Sequence, residues 1–387
     1  MIDDHLPNEP EAPHLSSPVV VASLNAYGRD DGRLRLAHTD STAVAGPAPL
    51  ALLYREQRES VLDQLLAPGA TRPWGAGNRA REEEPDLLRT CFERDLDRIK
   101  YASPFRRLAG KCQVFLAPDD IHIRNRMTHT IEVAQVALSI AQAIGLNVAL
   151  TEAIAMGHDC GHGPGGHAAE DAFEPYVPGG YDHAIYGADV TLVPLNLCAE
   201  TLDGIRSHSW RLHAPSTPEG EVVSISDRLA YLAHDANDAI RAGIIRPSDL
   251  PDLVKERLGS TQSSQLERMI NSTIDVIAVT GRIGIDADIA EALDAFRLFN
   301  YERIYTRPAA RTQGNRMITA LRALVEHFAD APGLIPEVAE NLWESPTSGS
   351  PEAVATAVHH VSSLTDRDAI AAAAAIGLAP SELPLIG

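Results

Sequence analysis

A histidine and an aspartate stand side by side near the middle of the sequence, at His158 and Asp159. An imidazole nitrogen and the oxygens of a neighbouring carboxylate suit a divalent metal ion. The pair ends a short apolar segment that opens into Gly161, so both side chains can converge on one point. Alone, the dipeptide is weak support for a site, because a solvated pair at a helix end has the same sequence.

The histidines around this pair favour a site. The stretch HDCGHGPGGH contains His158, His162 and His167 within ten residues. A structural loop rarely needs three imidazoles, whereas a site that binds metal and moves protons does. His129 lies in the preceding long helical pattern, and an antiparallel pair of helices would bring it beside His158.

A third segment, 220–241, adds carboxylates. Asp227, Tyr231 and Asp235 are spaced i, i+4 and i+8, so they share one face of a helix. Two carboxylates and a phenol are costly on a mostly buried helix unless a metal or a ligand satisfies them. An exposed polar stripe is the alternative, and the many apolar residues of the segment leave little exposed face for it.

The elements that must position these residues are helical. The spacing of apolar residues predicts helices over 126–144, ended by Gly145, and over 220–241, ended by Gly243. A short helix over 151–158 has Thr151 as a candidate N-cap, and another begins near His167. Further helices are predicted at 50–66, 286–305, 312–329 and 352–363. Strand-like alternation is scarce, so we predict a mostly α fold.

The chain is long enough for a full core and divides into three predicted regions. Residues 1–48 are rich in Pro, Asp and His and are expected to form a flexible or irregular N-terminal extension. Residues 49–250 contain the candidate site and form the expected core. Residues 251–387 form a C-terminal helical region packed on that core.

Composition and charge limit the class of protein. The formal net charge of -20 argues against extensive nucleic-acid binding. Four scattered cysteines without a CxxC pair are expected to be core residues of a cytoplasmic protein. No apolar run approaches the ~20 residues of a membrane span, and the N-terminus lacks the pattern of a signal peptide.

The order His, His-Asp, Asp resembles the metal signature of the HD superfamily, most closely its deoxynucleoside triphosphate triphosphohydrolases, the dGTPase-like branch. The resemblance covers roughly residues 50–330, and several motifs in order are more specific than any one of them. Its stretches are RTCFERDLDRIKYASPFRRLAGKCQVF at 89–115, RNRMTHTIEVAQ at 124–135, EAIAMGHDCGHGPGGHAAEDAF at 152–173, GGYDHA at 179–184, PLNLCAETLDGIRSHS at 194–209, PEGEVVSISDRLAYLAHDANDAIRAGII at 218–245 and, more weakly, FRLFNYERIY at 296–305.

The resemblance implies a single helical HD-domain core with a C-terminal helical extension. It also implies roles for particular residues. The metal ligands would be His129, His158, Asp159 and Asp227. The ion would be divalent: Mn²⁺, Fe²⁺, Ni²⁺ or Mg²⁺. The catalytic residues would be His167, Glu170 one turn later to orient it, and His183. His162 would contact either a metal ligand or a phosphate.

The substrate-binding residues follow from the same resemblance. Arg126 and Arg228 would contact the phosphates, and Tyr231 would pack on the sugar or touch the phosphates. Gln113 and Asp235 would hydrogen-bond the 3′-hydroxyl of the deoxyribose. The reaction would convert dNTPs to deoxynucleoside and inorganic triphosphate. The family motif usually reads HDxGHxPFGH, so Gly165 in place of the aromatic predicts a looser pocket wall.

Two alternatives remain open. Another HD phosphohydrolase, acting on nucleoside monophosphates, cyclic nucleotides or (p)ppGpp, would keep the metal ligands but have no use for Gln113 and Asp235 as hydroxyl readers. A catalytically silent dNTP-sensing protein would not need the full ligand set. A dNTP activator is left open, and a homo-oligomer is expected from the resemblance. We interpret His208 as structural, and the charges of 94–98 as a salt-bridge network.

Overall fold

The structure is a computed structural model that describes residues 28–30, 34–36, 42–47, 49–116, 118, 120–340, 342–379 and 381–384. The chain divides into two compact units, Met1–Leu52 and Leu53–Gly387. In the first unit, β1 (Gly28–Asp30) and β2 (Leu34–Leu36) pair antiparallel. Most of the predicted extension 1–48 lies outside the described residues, so its flexible or irregular character stays a prediction.

The second unit is built of helices, which confirms the mostly α prediction. Its α-helices are α1 (Arg55–Leu65), α2 (Cys91–Tyr101), α3 (Ser103–Arg107), α4 (Arg126–Ile144), α5 (Val148–Gly157), α6 (His167–Phe173), α7 (His183–Tyr186), α8 (Ala199–Arg206), α9 (Pro218–Arg241), α10 (Asp252–Arg257), α11 (Gln262–Thr280), α12 (Ala287–Asn300), α13 (Pro308–Asp330), α14 (Pro336–Ala339), α15 (Pro351–Ser363) and α16 (Asp366–Ala375). Among the residues that the structure describes, no helix is long and apolar enough to span a membrane.

Helix ends follow local capping. The helix α4 spans 126–144 as predicted and ends at Gly145, whose φ of 73° is the left-handed conformation that favours glycine. The prediction for α5 was wrong at its start, because Asn147 and not Thr151 is the N-cap. The Asn147 side chain accepts a hydrogen bond from the Leu150 backbone N–H at 3.2 Å, so the helix begins three residues earlier.

Other helices also differ from the predicted bounds; α13, predicted over 312–329, spans Pro308–Asp330. The helix α1 begins at Arg55 and not at residue 50, and the side chain of Gln57 accepts the Tyr54 backbone N–H at 3.0 Å there. The segment predicted as one helix over 286–305 is α12 followed by a π-helical turn, Tyr301–Tyr305. That turn carries Tyr305 inward, as described below.

The core of the second unit has two hydrophobic clusters. In the first, α4 packs against α5, α9 and α11, and α5 also contacts α2 and α8. In the second, α13 packs against α6, α15 and α16. Of the C-terminal helices, α13 therefore lies directly against α6, the helix that begins at His167, and α15 and α16 pack on α13.

The charges and thiols of the core behave as predicted. Asp95 is fully buried and pairs with Arg79 at 2.6 Å, and Arg94 and Arg98 both bind Glu83. This confirms a salt-bridge network around 94–98. All four cysteines are buried and free.

Candidate functional site

Three helices bring the four predicted metal ligands together. His129 lies in the first turn of α4, His158 and Asp159 follow the end of α5, and Asp227 lies in the middle of α9. The Nε2 atom of His129 is 3.0 Å from Asp227 Oδ1. The Nε2 atom of His158 is 3.5 Å from Asp159 Oδ1 and 3.9 Å from Asp227 Oδ1.

The hydrogen bonds of the His158 ring test whether the four predicted ligands suit a metal. Its Nδ1–H donates to the Ala155 carbonyl at 2.6 Å, which leaves Nε2 as the ring nitrogen that a metal could bind. That Nε2 atom is buried and has no hydrogen-bond partner among the described residues. A buried nitrogen left unpaired beside two carboxylates is costly unless an ion occupies the space between them. The donor atoms of His129, His158 and Asp227 lie within 4.8 Å of one another, which fits one ion.

The carboxylates of the group stay ionised. Burial opposes the charge on Asp159, but Arg126 and the neighbouring histidines hold the pKa of its carboxyl well below the usual range. Arg126 Nη1 donates to Asp159 Oδ2 at 2.8 Å, which leaves Oδ1 facing His158. Burial likewise opposes ionisation of Asp227, and the hydrogen bond with His129 lowers its pKa. Two anionic oxygens therefore face the two imidazoles.

Glu170 lies between the two predicted catalytic histidines. Its Oε2 is 3.3 Å from His167 Nδ1, and its Oε1 is 2.5 Å from His183 Nδ1. The His167 side chain is 70% exposed, whereas His183 is buried. Glu170 therefore contacts His167 as predicted and contacts His183 more closely, which the spacing of the sequence did not indicate.

His208 lies inside the site, against our interpretation of it as structural. It is buried, and its ring centroid is 5.0 Å from that of His158. Its Nδ1–H donates to the Ile205 carbonyl at 2.7 Å, so its Nε2 can accept a hydrogen bond from His183 Nε2 at 3.2 Å. The sequence around His208 gives little indication that it belongs to the site, because His208 reaches the site only through the packing of α8 beside α5.

His183 is therefore held at both ring nitrogens. Burial lowers the pKa of His183, but the hydrogen bond and charge of Glu170 outweigh it and raise the pKa above its ordinary value. His162 stacks on His183 with ring centroids 3.7 Å apart, and its Nε2 is 3.2 Å from Asp159 Oδ1. Burial, with the charges of Arg126 and His183, keeps the pKa of His162 well below its ordinary value, so His162 is neutral.

A cavity of about 740 Å³ opens beside these groups. This is in the range of cavities that bind small molecules. It is lined by all five predicted substrate-binding residues, which are Gln113, Arg126, Arg228, Tyr231 and Asp235. Further polar side chains in the lining include Trp210, Arg297, Tyr305 and Arg307.

Two residues of the cavity lining carry acceptor atoms without a partner among the described residues. Asp235 Oδ2 accepts a hydrogen bond from the Tyr305 hydroxyl at 2.6 Å. Asp235 Oδ1 and Gln113 Oε1 are buried and have no partner among the described residues. Burial raises the pKa of Asp235 to about 7. Sequence analysis missed Tyr305, although it stands in the stretch FRLFNYERIY that resembles the family weakly.

Another part of the lining is cationic. The guanidinium carbon of Arg228 lies 3.4 Å from the ring centroid of Trp210, a cation–π contact. Trp210 Nε1–H donates to the Ser224 carbonyl at 3.2 Å, which anchors the ring to α9. Burial lowers the pKa of Arg228, which nonetheless stays far above neutral for a guanidinium. Sequence analysis predicted Arg228 here but not Trp210.

The wall at Gly165 is filled, so the predicted looser wall is wrong. Gly165 has a φ of 76°, and a Cβ atom added there would lie 2.6 Å from the Cγ atom of Met317 in α13. The side chain of Met317 thus occupies the space beside the motif. Gly166 has a φ of 62°, and an added Cβ would lie 2.6 Å from Arg126 Nη2.

Comparison with known proteins identifies two family models in the chain. The HD domain matches residues 126–232, and the phosphohydrolase-associated domain matches residues 283–375. The chain is 38% identical to a deoxyguanosinetriphosphate triphosphohydrolase-like protein of Caldanaerobacter subterraneus subsp. tengcongensis, covering 82% of this chain and 93% of that one. A protein of the same description from Paracoccus denitrificans is 31% identical, over 79% of this chain and 98% of the relative.

Among solved structures, a phosphohydrolase from Bacteroides thetaiotaomicron superposes with a TM-score of 0.44 at 16% identity. The superposition covers 71% of this chain and 66% of that one.

Proposed function

The chain belongs to the deoxyguanosinetriphosphate triphosphohydrolase-like family of HD-domain proteins, and on that premise we propose that it hydrolyses deoxynucleoside triphosphates to deoxynucleoside and inorganic triphosphate. One observation carries this proposal. Three of the four candidate metal ligands, His129, Asp159 and Asp227, line the same cavity as Gln113 and Asp235, whose acceptor atoms Oε1 and Oδ1 have no partner among the described residues. Arginines line this cavity as well. A triphosphate and a sugar hydroxyl would each find matching groups there.

We propose that His129, His158, Asp159 and Asp227 hold a divalent ion. When bound, the ion would supply Lewis-acid activation of water and charge neutralisation at the phosphates. The unpaired Nε2 of His158 and the ionised carboxylates support this ligand set. Manganese, iron, nickel and magnesium all remain consistent with mixed imidazole and carboxylate donors.

The protein's own residues would bind and orient the triphosphate. Arg228, held on the ring of Trp210, and Arg126, held by Asp159, present cationic groups at fixed places in the cavity. Fixed donors stabilise the charge that develops in phosphoryl transfer without reorganising during the reaction. Water attacks the α-phosphorus in this scheme, the bond from phosphorus to the 5′-oxygen breaks, and the 5′-oxygen takes up a proton.

We propose His167 as the donor of that proton. Its side chain is exposed to the cavity, and Glu170 holds its Nδ1. His183 already uses both ring nitrogens, toward Glu170 and His208, so it is better placed to fix Glu170 than to release a proton. His162, neutral and with its Nε2 3.2 Å from Asp159 Oδ1, would orient that carboxylate.

The experiment compares substrates and products. The protein is incubated with each dNTP and each NTP plus Mn²⁺, and the products are separated by chromatography. Deoxynucleoside and triphosphate in equal amounts are expected from dNTPs. Release of monophosphate and pyrophosphate, or hydrolysis of (p)ppGpp or cyclic nucleotides in preference to dNTPs, would favour another HD phosphohydrolase.

The silent dNTP-sensing alternative predicts nucleotide binding without turnover in the same experiment. A dNTP activator would appear as stimulation of one dNTP's hydrolysis by another, and a homo-oligomer as a larger mass in solution. Both stay predictions from the family, and the cytoplasmic location stays a prediction from the composition of the sequence.

A further inference from the structure

Asp366 places a buried carboxylate from the C-terminal helices against the site. It is the first residue of α16 and is 1% exposed. Its Oδ2 accepts the Cys112 backbone N–H at 2.9 Å, and its Oδ1 accepts the Gly165 backbone N–H at 2.8 Å. The Thr365 hydroxyl caps α16, so the Asp366 carboxylate is free to make contacts outside its own helix.

Lys111 ties the same regions together. Its Nζ is buried and donates to the His162 carbonyl at 2.5 Å and to the Ser362 carbonyl at 2.9 Å. Its own carbonyl accepts the Arg126 backbone N–H at 2.9 Å. Lys111 thus connects the loop after α5, the start of α4 and the end of α15.

The two segments held in this way carry different halves of the candidate site. Cys112 directly precedes Gln113, one of the two unpaired acceptors. Gly165 lies between His162 and His167, on the side of the candidate metal group. The two segments share no residues. The Asp366 carboxylate binds one backbone N–H of each segment, so it sets the position of one segment relative to the other.

Resting on the proposed function, we propose that Asp366 and Lys111 are positioning residues. Through them, the C-terminal helices would set the distance between the segment that carries Gln113 and the 162–167 loop. Neither residue lines the cavity. They act through Gln113 and through the 162–167 loop. The C-terminal helical region would then be part of the catalytic machinery and not only a scaffold.

Asp366→Asn is the main test. The amide keeps one acceptor oxygen but turns an NH₂ group toward the second backbone N–H, so only one segment can remain bound. A misplacement of about 1 Å at an active site can cost about 10²-fold in rate. We expect kcat for dGTP to fall about tenfold to hundredfold, with bound metal unchanged. The preference for dGTP over 2′,3′-dideoxy-GTP should shrink at least about threefold, because Gln113 shifts.

Asp95→Asn is the matched control. Asp95 is equally buried and also accepts a backbone N–H, that of Cys198 at 2.9 Å. Unlike the partners of Asp366, the residues that Asp95 contacts, Arg79, Cys198 and Thr201, do not line the cavity. Asp95→Asn should lower the melting temperature without changing the preference for dGTP over dideoxy-GTP, measured as the ratio of the two kcat/KM values. A ratio that falls equally in both variants would overturn the positioning role, because general destabilisation would explain it.

Hydrogen–deuterium exchange separates this inference from the proposed function. Asp366→Asn should speed exchange in peptides that cover 111–115 and 160–167 more than elsewhere, whatever the substrate is. Faster exchange with unchanged kcat and unchanged substrate ratio would overturn the proposal. A wild-type protein that does not hydrolyse dNTPs would instead refute the proposed function, and unchanged exchange would refute the contact itself.

Discussion

Removal of the 3′-hydroxyl from the nucleotide tests the sugar end of the cavity most directly. Asp235 is 3% exposed and its Oδ2 accepts a hydrogen bond from the Tyr305 hydroxyl, whereas no residue in the described part of the chain pairs with its Oδ1. A 3′-hydroxyl would pair with Oδ1, and dideoxy-GTP would leave that oxygen desolvated and alone. An unpaired buried acceptor costs about 1–3 kcal/mol, which corresponds to about 5- to 150-fold in kcat/KM.

The assay uses dGTP and dideoxy-GTP in one tube with Mn²⁺, because the ratio of their consumption rates equals the ratio of kcat/KM. We expect wild type to prefer dGTP by that factor and Asp235→Ala to reduce the preference to within about threefold, since the acceptor is gone. Tyr305→Phe is the control, because it removes the hydrogen bond to Oδ2 but keeps Oδ1. It should preserve the preference while slowing both substrates.

Equal consumption of the two nucleotides by the wild type would refute the assignment of Asp235 as a hydroxyl reader. It would also shift weight to a phosphohydrolase that does not read the sugar. A preference that persists fully in Asp235→Ala would assign the discrimination to Gln113, whose Oε1 also lacks a partner among the described residues.

Three further predictions follow from the same structure. Asp159→Ala should abolish bound metal, measured by elemental analysis, while the helical circular dichroism persists; full metal occupancy would contradict the ligand assignment. His167→Ala should keep metal and lose about 10²–10⁴ in kcat, whereas unchanged turnover would point to His183 as the donor. Burial lowers the pKa of Lys111 to about 7 from 10.5, so the unfolded chain binds more protons between those pH values. In that pH range, the free energy of unfolding of the wild type should therefore rise with pH relative to that of Lys111→Met, by at most about 1.4 kcal/mol per pH unit. Urea titrations at several pH values measure both proteins. Parallel plots of unfolding free energy against pH would show that Lys111 keeps its proton.

Much of the fold could be predicted from the sequence because helices depend on relations between near neighbours. The helix α4 has the bounds that its apolar spacing and Gly145 indicate. The shared face of Asp227, Tyr231 and Asp235 follows from the i, i+4 geometry of any α-helix, and all three residues line one cavity in the structure. Local signals fail where two caps compete, as at Asn147 and Thr151.

The meeting of the four candidate metal ligands was predictable only in part. An antiparallel arrangement of two helices could be guessed for His129 and His158, but the distance from Asp227 to either depends on how α9 packs across α4. The structure brings all four together, and their binding of a metal stays our proposal.

What only the tertiary structure decided involves contacts between residues far apart in the chain. Glu170 bonds His183, Tyr305 reaches Asp235, and Asp366 binds Gly165 across 201 positions. No local pattern marks such partners, because each contact exists only after separate helices have packed and turned one face toward the cavity. The sequence by itself therefore determined the helices and the residue types that could do chemistry, whereas helix packing determined which of those residues meet.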